Sequence, residues 1–309
     1  MDRIIRIGTR DSELAMWQAK TVEKALQKLG YKTELVPVKS TGDLVLDKPL
    51  YEMGITGIFT KTLDVAMIKK EVDIAVHSMK DVPTALPQGI VQGAVLKRAN
   101  TVDILLHKGD TSFMSEDVEA VVATGSLRRK AQWLNRFPKH TTVDLRGNVN
   151  TRMEKLQENN WNGAIFASAG LDRIKKKPSN FINLDWMIPA PAQGAMVVVV
   201  NADDNYALDA VAQLNDYETE MATHIERQFL RTLEGGCTAP IGALATYNDH
   251  DDTINFKGVL FSLDGKQKFE VNKVVDIAEW KKLGFFAAKE ILENGGSELM
   301  ETLRQQLKK

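Results

Sequence analysis

The chain has 309 residues, of which 43% are hydrophobic and 26% are charged. This composition is typical of an ordinary globular protein with two or three domains. The 40 basic residues nearly balance 41 acidic ones, which excludes bulk electrostatic attraction to nucleic acid. We expect a cytoplasmic protein without a membrane span, because no apolar run reaches the ~18 residues required, the N-terminus lacks a signal-peptide pattern, and a single cysteine suits a reducing compartment.

The first third of the chain alternates between strand and helix patterns. Such an order predicts a parallel sheet whose ligands bind beyond the carboxyl ends of the strands. Arg10 and Ser12 follow the first predicted strand, and Lys80 and Asp81 follow the third. Taken singly, Arg10 is also consistent with a surface charge and Asp81 with a turn residue. The predicted elements are a strand at 3–8, a helix at 14–29, a strand at 33–38, a helix at 60–70 and a strand at 72–76.

The middle of the chain repeats the alternation and adds arginines at predicted strand ends. Thr124-Gly125-Ser126 precedes a predicted helix, where backbone N–H groups and the helix dipole favour an anion. Any one of the arginines could be a solvated surface charge, but the set predicts a shared site for a ligand with several carboxylates or phosphates. The set comprises Arg10, Arg128, Arg129, Arg146, Arg152 and Arg173.

The last third of the chain changes character. The apolar run Met196 to Val200 follows a proline-rich bend and predicts a strand that crosses back to the first lobe. A helical pattern then covers 217–233, and strands are expected at 243–247, 254–262 and 268–274, with Asp264-Gly265 as a hairpin turn. Two helices finish the chain, so this part reads as a small α+β domain.

Cys237 is the only cysteine, and it occupies a distinctive stretch. Gly235 and Gly236 end the preceding helical pattern, and Pro240 prevents the helix from resuming, so the thiol is expected on a loop. A lone cysteine cannot form an intramolecular disulfide. The pattern alone leaves open whether it is core filler, a stray surface thiol, or a nucleophile and attachment point.

Five motifs together resemble the hydroxymethylbilane synthase family, also called porphobilinogen deaminases. They occur in the family's order from the first strand through the cysteine loop, which is far more specific than any one of them. The motifs are Ile7-Gly8-Thr9-Arg10-Asp11-Ser12-Glu13-Leu14-Ala15, Val76-His77-Ser78-Met79-Lys80-Asp81-Val82-Pro83, Gly125-Ser126-Leu127-Arg128-Arg129, Leu145-Arg146-Gly147-Asn148-Val149 and Leu233-Glu234-Gly235-Gly236-Cys237.

The resemblance implies an α/β fold with two lobes like a periplasmic binding protein, each with a mainly parallel sheet, plus a C-terminal α+β domain. Lobe 1 would comprise 1–96 and 195–214 and carry the catalytic aspartate and a lid loop. Lobe 2 would comprise 97–194 and carry the arginine-rich anion site. The remainder, 215–309, would be the cofactor-attachment domain.

The resemblance also implies a transferase that joins four porphobilinogen molecules head to tail, with loss of ammonia, on a dipyrromethane cofactor bound to Cys237 by a thioether. Such an enzyme acts in tetrapyrrole and haem biosynthesis, needs no metal, and would be a monomer that binds neither nucleic acid nor membrane. Asp81 and Lys80 would be catalytic. Cofactor binding would involve Cys237, Lys80, Asp81, Thr124, Ser126, Arg128, Arg129 and Arg146. Substrate binding would involve Arg10, Ser12, Lys61, Arg146, Arg152, Arg173 and Gln193.

The sequence departs from the family pattern at two places. In the lid motif 54–61, Thr56 stands where a lysine is expected, although Lys61 remains. In Pro191-Ala192-Gln193-Gly194, the usual Val-Gly pair is replaced while Gln-Gly is kept. Two other classes compete with the enzyme: a non-catalytic binding protein for a polycarboxylate, with an idle cysteine, and a phosphate-ligand transferase, which would leave Cys237 unexplained.

Overall fold

The computed structural model describes residues 3–38, 60–233 and 239–307. The predicted lid, 39–59, and Cys237 lie outside these residues. The described strands are β1 (Ile4–Thr9), β2 (Lys32–Pro37), β3 (Ile74–Ser78), β4 (Ile90–Leu96), β5 (Asp103–His107), β6 (Val121–Ala123), β7 (Thr141–Val143), β8 (Gly163–Ala167), β9 (Phe181–Asn183), β10 (Met196–Asn201), β11 (Ile241–Asn248), β12 (Thr253–Phe261) and β13 (Lys268–Asp276). The described α-helices are α1 (Glu13–Lys28), α2 (Lys61–Ile68), α3 (Leu127–Arg136), α4 (Val149–Glu158), α5 (Ser168–Arg173), α6 (Asn205–Ala212), α7 (Tyr217–Thr232), α8 (Trp280–Ile291) and α9 (Ser297–Leu307).

The chain divides into two compact units. The first comprises the described parts of Met1–Val45 and Ile55–Ala99 together with Gln193–Met221. The second comprises Asn100–Ala192 and the described part of Ala222–Lys309. The first unit is therefore built from segments that are far apart in sequence.

The first unit contains a five-stranded sheet with the order β2-β1-β3-β10-β4. β1 pairs in parallel with both β2 and β3, whereas β10 runs antiparallel to β3 and β4. Strand alternation turns Ile5 and Ile7 of β1 towards one face, where they pack with Val22 and Leu26 of α1 in a single buried cluster. The predicted return of 196–200 to the first lobe is confirmed, since β10 lies inside this sheet.

The second unit begins with a similar sheet, ordered β7-β6-β8-β5-β9. Here β6 is parallel to β7 and β8, and β5 is antiparallel to β8 and β9. Side chains on both faces are buried, with Leu105 in one apolar cluster and its neighbours Ile104 and Leu106 in another. Burial on both faces is the usual condition of a mainly parallel sheet covered by helices.

The C-terminal part of the second unit is an antiparallel sheet, β11-β12-β13, with helices against it. Phe229 of α7 packs edge-to-face on Phe256 of β12, at 5.2 Å between ring centroids. Gly265 makes the predicted hairpin turn between β12 and β13 with a φ of 73°. The predicted fold class is confirmed: two mainly parallel α/β lobes and a C-terminal α+β part.

Two short elements escaped the sequence patterns. α6 follows β10 directly, and β9 is a three-residue edge strand, too short to establish a period. The two predicted C-terminal helices are separated at Gly295-Gly296, where Gly295 has a φ of 105°, but a π-helical turn over Leu292–Gly296 joins α8 to α9. None of the helices in the described ranges combines the length and apolar character needed to cross a membrane.

Candidate active site

Two neighbouring strands of the first unit end just before predicted site residues: the substrate-binding candidate Arg10 follows β1, and the catalytic candidates Lys80 and Asp81 follow β3. β1 and β3 are adjacent and parallel, so their carboxyl ends lie at the same edge of the sheet. Arg10 follows β1 directly. Lys80 and Asp81 lie in a 3-10 turn, Met79–Asp81, immediately after β3. The side chains of Lys80 and Asp81 are both half-buried.

Lys80 is held by the predicted substrate-binding residue Gln193. The Lys80 Nζ donates to Gln193 Oε1 at 3.2 Å. Gln193 is fully buried, and its main-chain oxygen accepts from Arg98 Nε at 2.8 Å. The segment that precedes β10 therefore fixes the lysine next to Asp81. This contact brings together two residues that are more than a hundred positions apart in sequence.

Ser12 and Lys61, both predicted to bind substrate, lie at the starts of helices. Ser12 caps α1, because its Oγ accepts from the backbone N–H of Ala15 at 3.4 Å. A hydroxyl that accepts in this way can still donate its proton to a carboxylate. Lys61 is the exposed first residue of α2.

His77 lies one residue before the end of β3 and was quoted in a motif but not predicted as a site residue. Its imidazole is buried, and its Nε2 has no hydrogen-bond partner within the described residues. Burial, together with the positive charge of Arg10, lowers the pKa of His77 to about 4. The imidazole is therefore neutral at physiological pH, and the guanidinium of Arg10 lies close enough to influence it.

The arginine-rich residues of the second unit follow the parallel strands of its first sheet. β7, β6 and β8 are neighbours in that order, so the segments that leave their carboxyl ends lie side by side. The segments that carry the predicted residues therefore all start from one edge of the second unit's first sheet. The residues concerned are Thr124, Ser126, Arg128 and Arg129 after β6, Arg146 and Arg152 after β7, and Arg173 after β8.

Thr124-Gly125-Ser126 forms the predicted turn into α3. Ser126 caps the helix, since its Oγ accepts from the N–H of Arg129 at 3.5 Å, and the Ser126 N–H points to Thr124 Oγ1 at 3.3 Å. A Cβ on Gly125 would lie 2.6 Å from the main-chain oxygen of Leu145. The two strand ends therefore approach so closely that only glycine fits. The turn places two hydroxyls at the N-terminus of α3, where the helix dipole favours an anion.

Arg128 and Arg129 are both buried against one carboxylate, Asp103 at the start of β5. Arg128 Nη1 donates to Asp103 Oδ2 at 2.7 Å, and Arg129 donates to Oδ1 from Nε at 3.0 Å and from Nη2 at 2.8 Å. Each arginine also donates to a main-chain oxygen, of Ile188 and Ile165 respectively. The buried guanidiniums of Arg128 and Arg129 thus share the single buried carboxylate of Asp103.

The electrostatics of this cluster favour a further negative charge. Desolvation lowers the pKa of Arg128, an effect that Asp103 opposes and the charge of Arg129 reinforces. The Arg128 Nε is buried and has no hydrogen-bond partner in the described residues. A buried positive charge in excess is costly unless an anion compensates it.

The other arginines predicted for the anion site, Arg146, Arg152 and Arg173, are also at least partly removed from water. Arg146 is buried, and desolvation lowers its pKa against the opposing effect of Asp144. Burial lowers the pKa of Arg173, the last residue of α5, to about 10. Arg152 is partly buried and its Nε donates to the main-chain oxygen of Gly147 at 2.7 Å. These side chains are not the solvated surface charges that were the alternative.

Asp103 is the principal residue that the sequence patterns missed. The available signal was a carboxylate opening an otherwise apolar strand, Asp103-Ile104-Leu105-Leu106. Two predicted features, Cys237 and the lid residue Thr56, lie outside the described residues. Within the described ranges, no group of three or more His, Cys, Asp or Glu side chains is placed to hold a metal ion.

Two family models match the chain. The model of the porphobilinogen deaminase dipyrromethane cofactor binding domain matches residues 5–209, and that of the porphobilinogen deaminase C-terminal domain matches residues 221–293. Among solved structures, a probable amino-acid ABC transporter extracellular-binding protein from Bacillus subtilis is similar at a TM-score of 0.43 and 14% identity, covering 69% of this chain and 90% of that one.

Curated relatives cover almost the whole sequence. The porphobilinogen deaminase of Pelotomaculum thermopropionicum is 40% identical over 99% of both chains. That of Syntrophobacter fumaroxidans is 37% identical over 98% of both, and the probable porphobilinogen deaminase of Methanocaldococcus jannaschii is 39% identical over 91% of this chain and 98% of the other. Because both family models match and these relatives align over almost the whole sequence, the chain belongs to the porphobilinogen deaminase family.

Proposed function

We propose that this chain is a hydroxymethylbilane synthase, which condenses four porphobilinogen molecules head to tail with release of ammonia in tetrapyrrole and haem biosynthesis. The observation that carries the proposal is the buried cluster of arginines at the strand ends of the second unit, in a chain of this family. Each porphobilinogen carries an acetate and a propionate. A growing chain therefore accumulates negative charge, which guanidiniums neutralise through paired hydrogen bonds.

The residues fit a dipyrromethane cofactor joined to Cys237. Two buried guanidiniums share the Asp103 carboxylate, which leaves positive charge for an anionic group, and the Arg128 Nε is a buried donor without a partner in the described residues. When bound, the dipyrromethane supplies the pyrrole carbon to which the first substrate unit is joined. The residues that would hold its carboxylates are Thr124, Ser126, Arg128, Arg129, Arg146 and Lys80, whereas the Asp81 carboxylate would accept hydrogen bonds from its pyrrole N–H groups.

Asp81 is the catalytic carboxylate in this proposal. Ammonia leaves the aminomethyl group of porphobilinogen with help from the pyrrole nitrogen, so positive charge develops on the substrate ring. A carboxylate that accepts a hydrogen bond from the pyrrole N–H stabilises that charge and can take up a proton. Lys80, fixed by Gln193 at 3.2 Å, holds a positive charge beside it for a substrate carboxylate.

Substrate carboxylates are assigned to the cationic and hydrogen-bonding groups at the strand and helix ends. The hydroxyl of Ser12 donates from the start of α1, and Lys61 offers its charge from the start of α2. In lobe 2 the planar guanidiniums suit bidentate contacts with acetate and propionate groups. The assigned residues are Arg10, Ser12, Lys61, Arg146, Arg152, Arg173 and Gln193.

The proposal includes the division into lobe 1 (1–96 and 195–214), lobe 2 (97–194) and the cofactor-attachment domain (215–309). It also includes a cytoplasmic, monomeric enzyme that acts on porphobilinogen and binds neither nucleic acid nor membrane. The single cysteine supports a reducing compartment, because the chain has no second cysteine for a stabilising disulfide of the kind that secreted proteins use. Sedimentation of the purified protein at micromolar concentration should give one species of 34.4 kDa plus the cofactor.

The test is the intact mass of the purified protein together with its turnover of porphobilinogen. The parent should carry an adduct of two pyrrole units, absent from Cys237→Ala. Arg146→Leu should fold yet release almost no ammonia, whereas Arg136→Leu, which removes an exposed arginine at the end of α3, should remain active. Ammonia release by a protein of unmodified mass would refute the cofactor assignment, and an inert parent would favour the binding-protein alternative.

A further inference from the structure

A second concave site lies in the C-terminal part of the second unit and shares no residue with the candidate active site. It is a groove of about 400 Å³ between β13, the 3-10 turn Ile277–Glu279 and α8. Pockets that bind small molecules typically measure about 300–1,000 Å³ and are lined mainly by apolar side chains. The groove is therefore large enough for one small ligand.

One wall of the groove is a single face of α8. Leu283, Phe286 and Glu290 recur at the three- and four-residue spacing that places side chains on one side of a helix. Leu283 is buried, but Phe286 is 60% exposed although it lines the groove. The opposite wall is β13, where Lys273 and Val275 are two positions apart and therefore point to the same side of the sheet.

The helical wall is fixed before any ligand arrives. Gln228 of α7 donates from Nε2 to the main-chain oxygen of Lys281 at 3.0 Å and accepts from the N–H of Phe285 at 2.9 Å. A Cβ on Gly284 would lie 2.1 Å from the main-chain oxygen of Ile225, so α8 lies directly against α7. A wall clamped in this way gives a preformed site, which avoids the entropic cost of ordering it on binding.

The charges on the rim are unequal. Lys273 and Glu290 form an ion pair at 2.5 Å on one side and neutralise each other. Lys281, Lys282 and Glu279 line the remainder, and both lysines are exposed. The lining thus carries one positive charge in excess, since three lysines face two glutamates. An apolar floor with a cationic rim complements an apolar molecule that bears one negative charge.

We propose that this groove binds a small amphiphilic anion, a ring system with one carboxylate or sulfonate. The ring would lie against Phe286 and Leu283, and the acid group would meet Lys281 and Lys282. This occupant satisfies both the exposed aromatic ring and the excess positive charge. A second copy of the chain could instead cover the same apolar surface, and the experiment below distinguishes such a dimer from ligand binding.

The probe is 8-anilino-1-naphthalenesulfonate, followed by its fluorescence on titration into the cofactor-loaded protein, with N-phenyl-1-naphthylamine as the uncharged counterpart. Phe286→Ser should weaken binding of the sulfonate about tenfold or more, because the aromatic wall is lost. Phe285→Ser is the matched control, since Phe285 is the adjacent exposed phenylalanine and does not line the groove. It should change the affinity less than about twofold, within the small effect expected of a surface substitution.

A double substitution, Lys281→Gln with Lys282→Gln, separates the charge from the apolar floor. It should weaken the sulfonate severalfold and leave the uncharged probe unchanged, and the difference should shrink as salt rises. Equal effects of the two phenylalanine substitutions, or no effect of either, would overturn the proposal. So would sedimentation showing a dimer that Phe286→Ser dissociates, because the groove would then be an interface between copies.

Discussion

Replacing Asp103 by asparagine should destabilise the protein strongly, because it removes the charge that Arg128 and Arg129 share. The Asp103 side chain is 0% exposed, and those of the two arginines are 4% and 7% exposed. The amide keeps one acceptor oxygen but no charge, so two buried guanidiniums are left facing each other. Removing one partner of a buried ion pair costs about 3–5 kcal/mol, and we expect a loss of that size in the free energy of unfolding.

Urea unfolding measures this loss in the free energy of unfolding. An unchanged slope m of that free energy against urea concentration would show that the variant and the parent expose the same surface on unfolding. Asp117→Asn is the matched control. Asp117 pairs with Lys139 at 3.0 Å, but the side chains are 90% and 54% exposed, so its loss should cost less than about 0.5 kcal/mol. Adding Arg129→Met to Asp103→Asn should recover part of the stability, because one uncompensated cation is removed. Equal losses for Asp103→Asn and Asp117→Asn would refute the idea of a buried charge excess.

Three further predictions concern His77, Ala192 and Asp81. Burial lowers the pKa of His77 from 6.5 to about 4, so between these pH values the imidazole is protonated in the unfolded chain but not in the folded one. The His77 contribution to the free energy of unfolding should therefore fall by about 3 kcal/mol as the pH drops from 6.5 to 4. Urea titrations at each pH should show this contribution in the parent and its loss in His77→Gln. Ala192 is buried and has a φ of 63°, a backbone conformation that strains alanine but not glycine. The free energy of unfolding of Ala192→Gly should therefore exceed that of the control Ala195→Gly by at least about 1 kcal/mol, because Ala195 is also buried but lies outside the left-handed region. Similar melting temperatures for the two variants would contradict this. Asp81→Asn should lower single-turnover ammonia release about 10²–10³-fold with an unchanged unfolding midpoint, and Asp81→Glu should keep more activity; an Asn variant as fast as the parent would make Asp81 a turn residue.

Much of the fold was predictable because its signals are local. Ser12 and Ser126 each precede a helix and cap it as their sequence positions predicted, and the glycine at 265 makes its hairpin turn. The positions of the arginines were also predictable, because a strand pattern in the sequence shows where the strand ends and therefore which residues follow it. Family membership followed from the order of the motifs, which needs no coordinates.

The interior of the site was not predictable in the same way. Asp103 meets Arg128 and Arg129 because β5 lies next to β8, and no periodicity in the sequence encodes that pairing. The same limit applies to Lys80 and Gln193, which come together only because β10 pairs with β3. The lowered pKa of His77 depends on burial by distant segments. These features belong to packing, which a strand or helix pattern does not specify.

The position of β10 has a consequence for the folding of the chain during its own translation. β10 lies between β3 and β4, yet it is translated after every strand of the second unit's first sheet. While the ribosome is making 100–192, the edges of β3 and β4 that β10 will cover lack their final partner. Unpaired strand edges are the sites where nascent chains associate wrongly. The unit whose translation starts first is thus completed only after Asn201 emerges, and a nascent chain arrested near residue 192 should depend on chaperones far more than one arrested beyond β10.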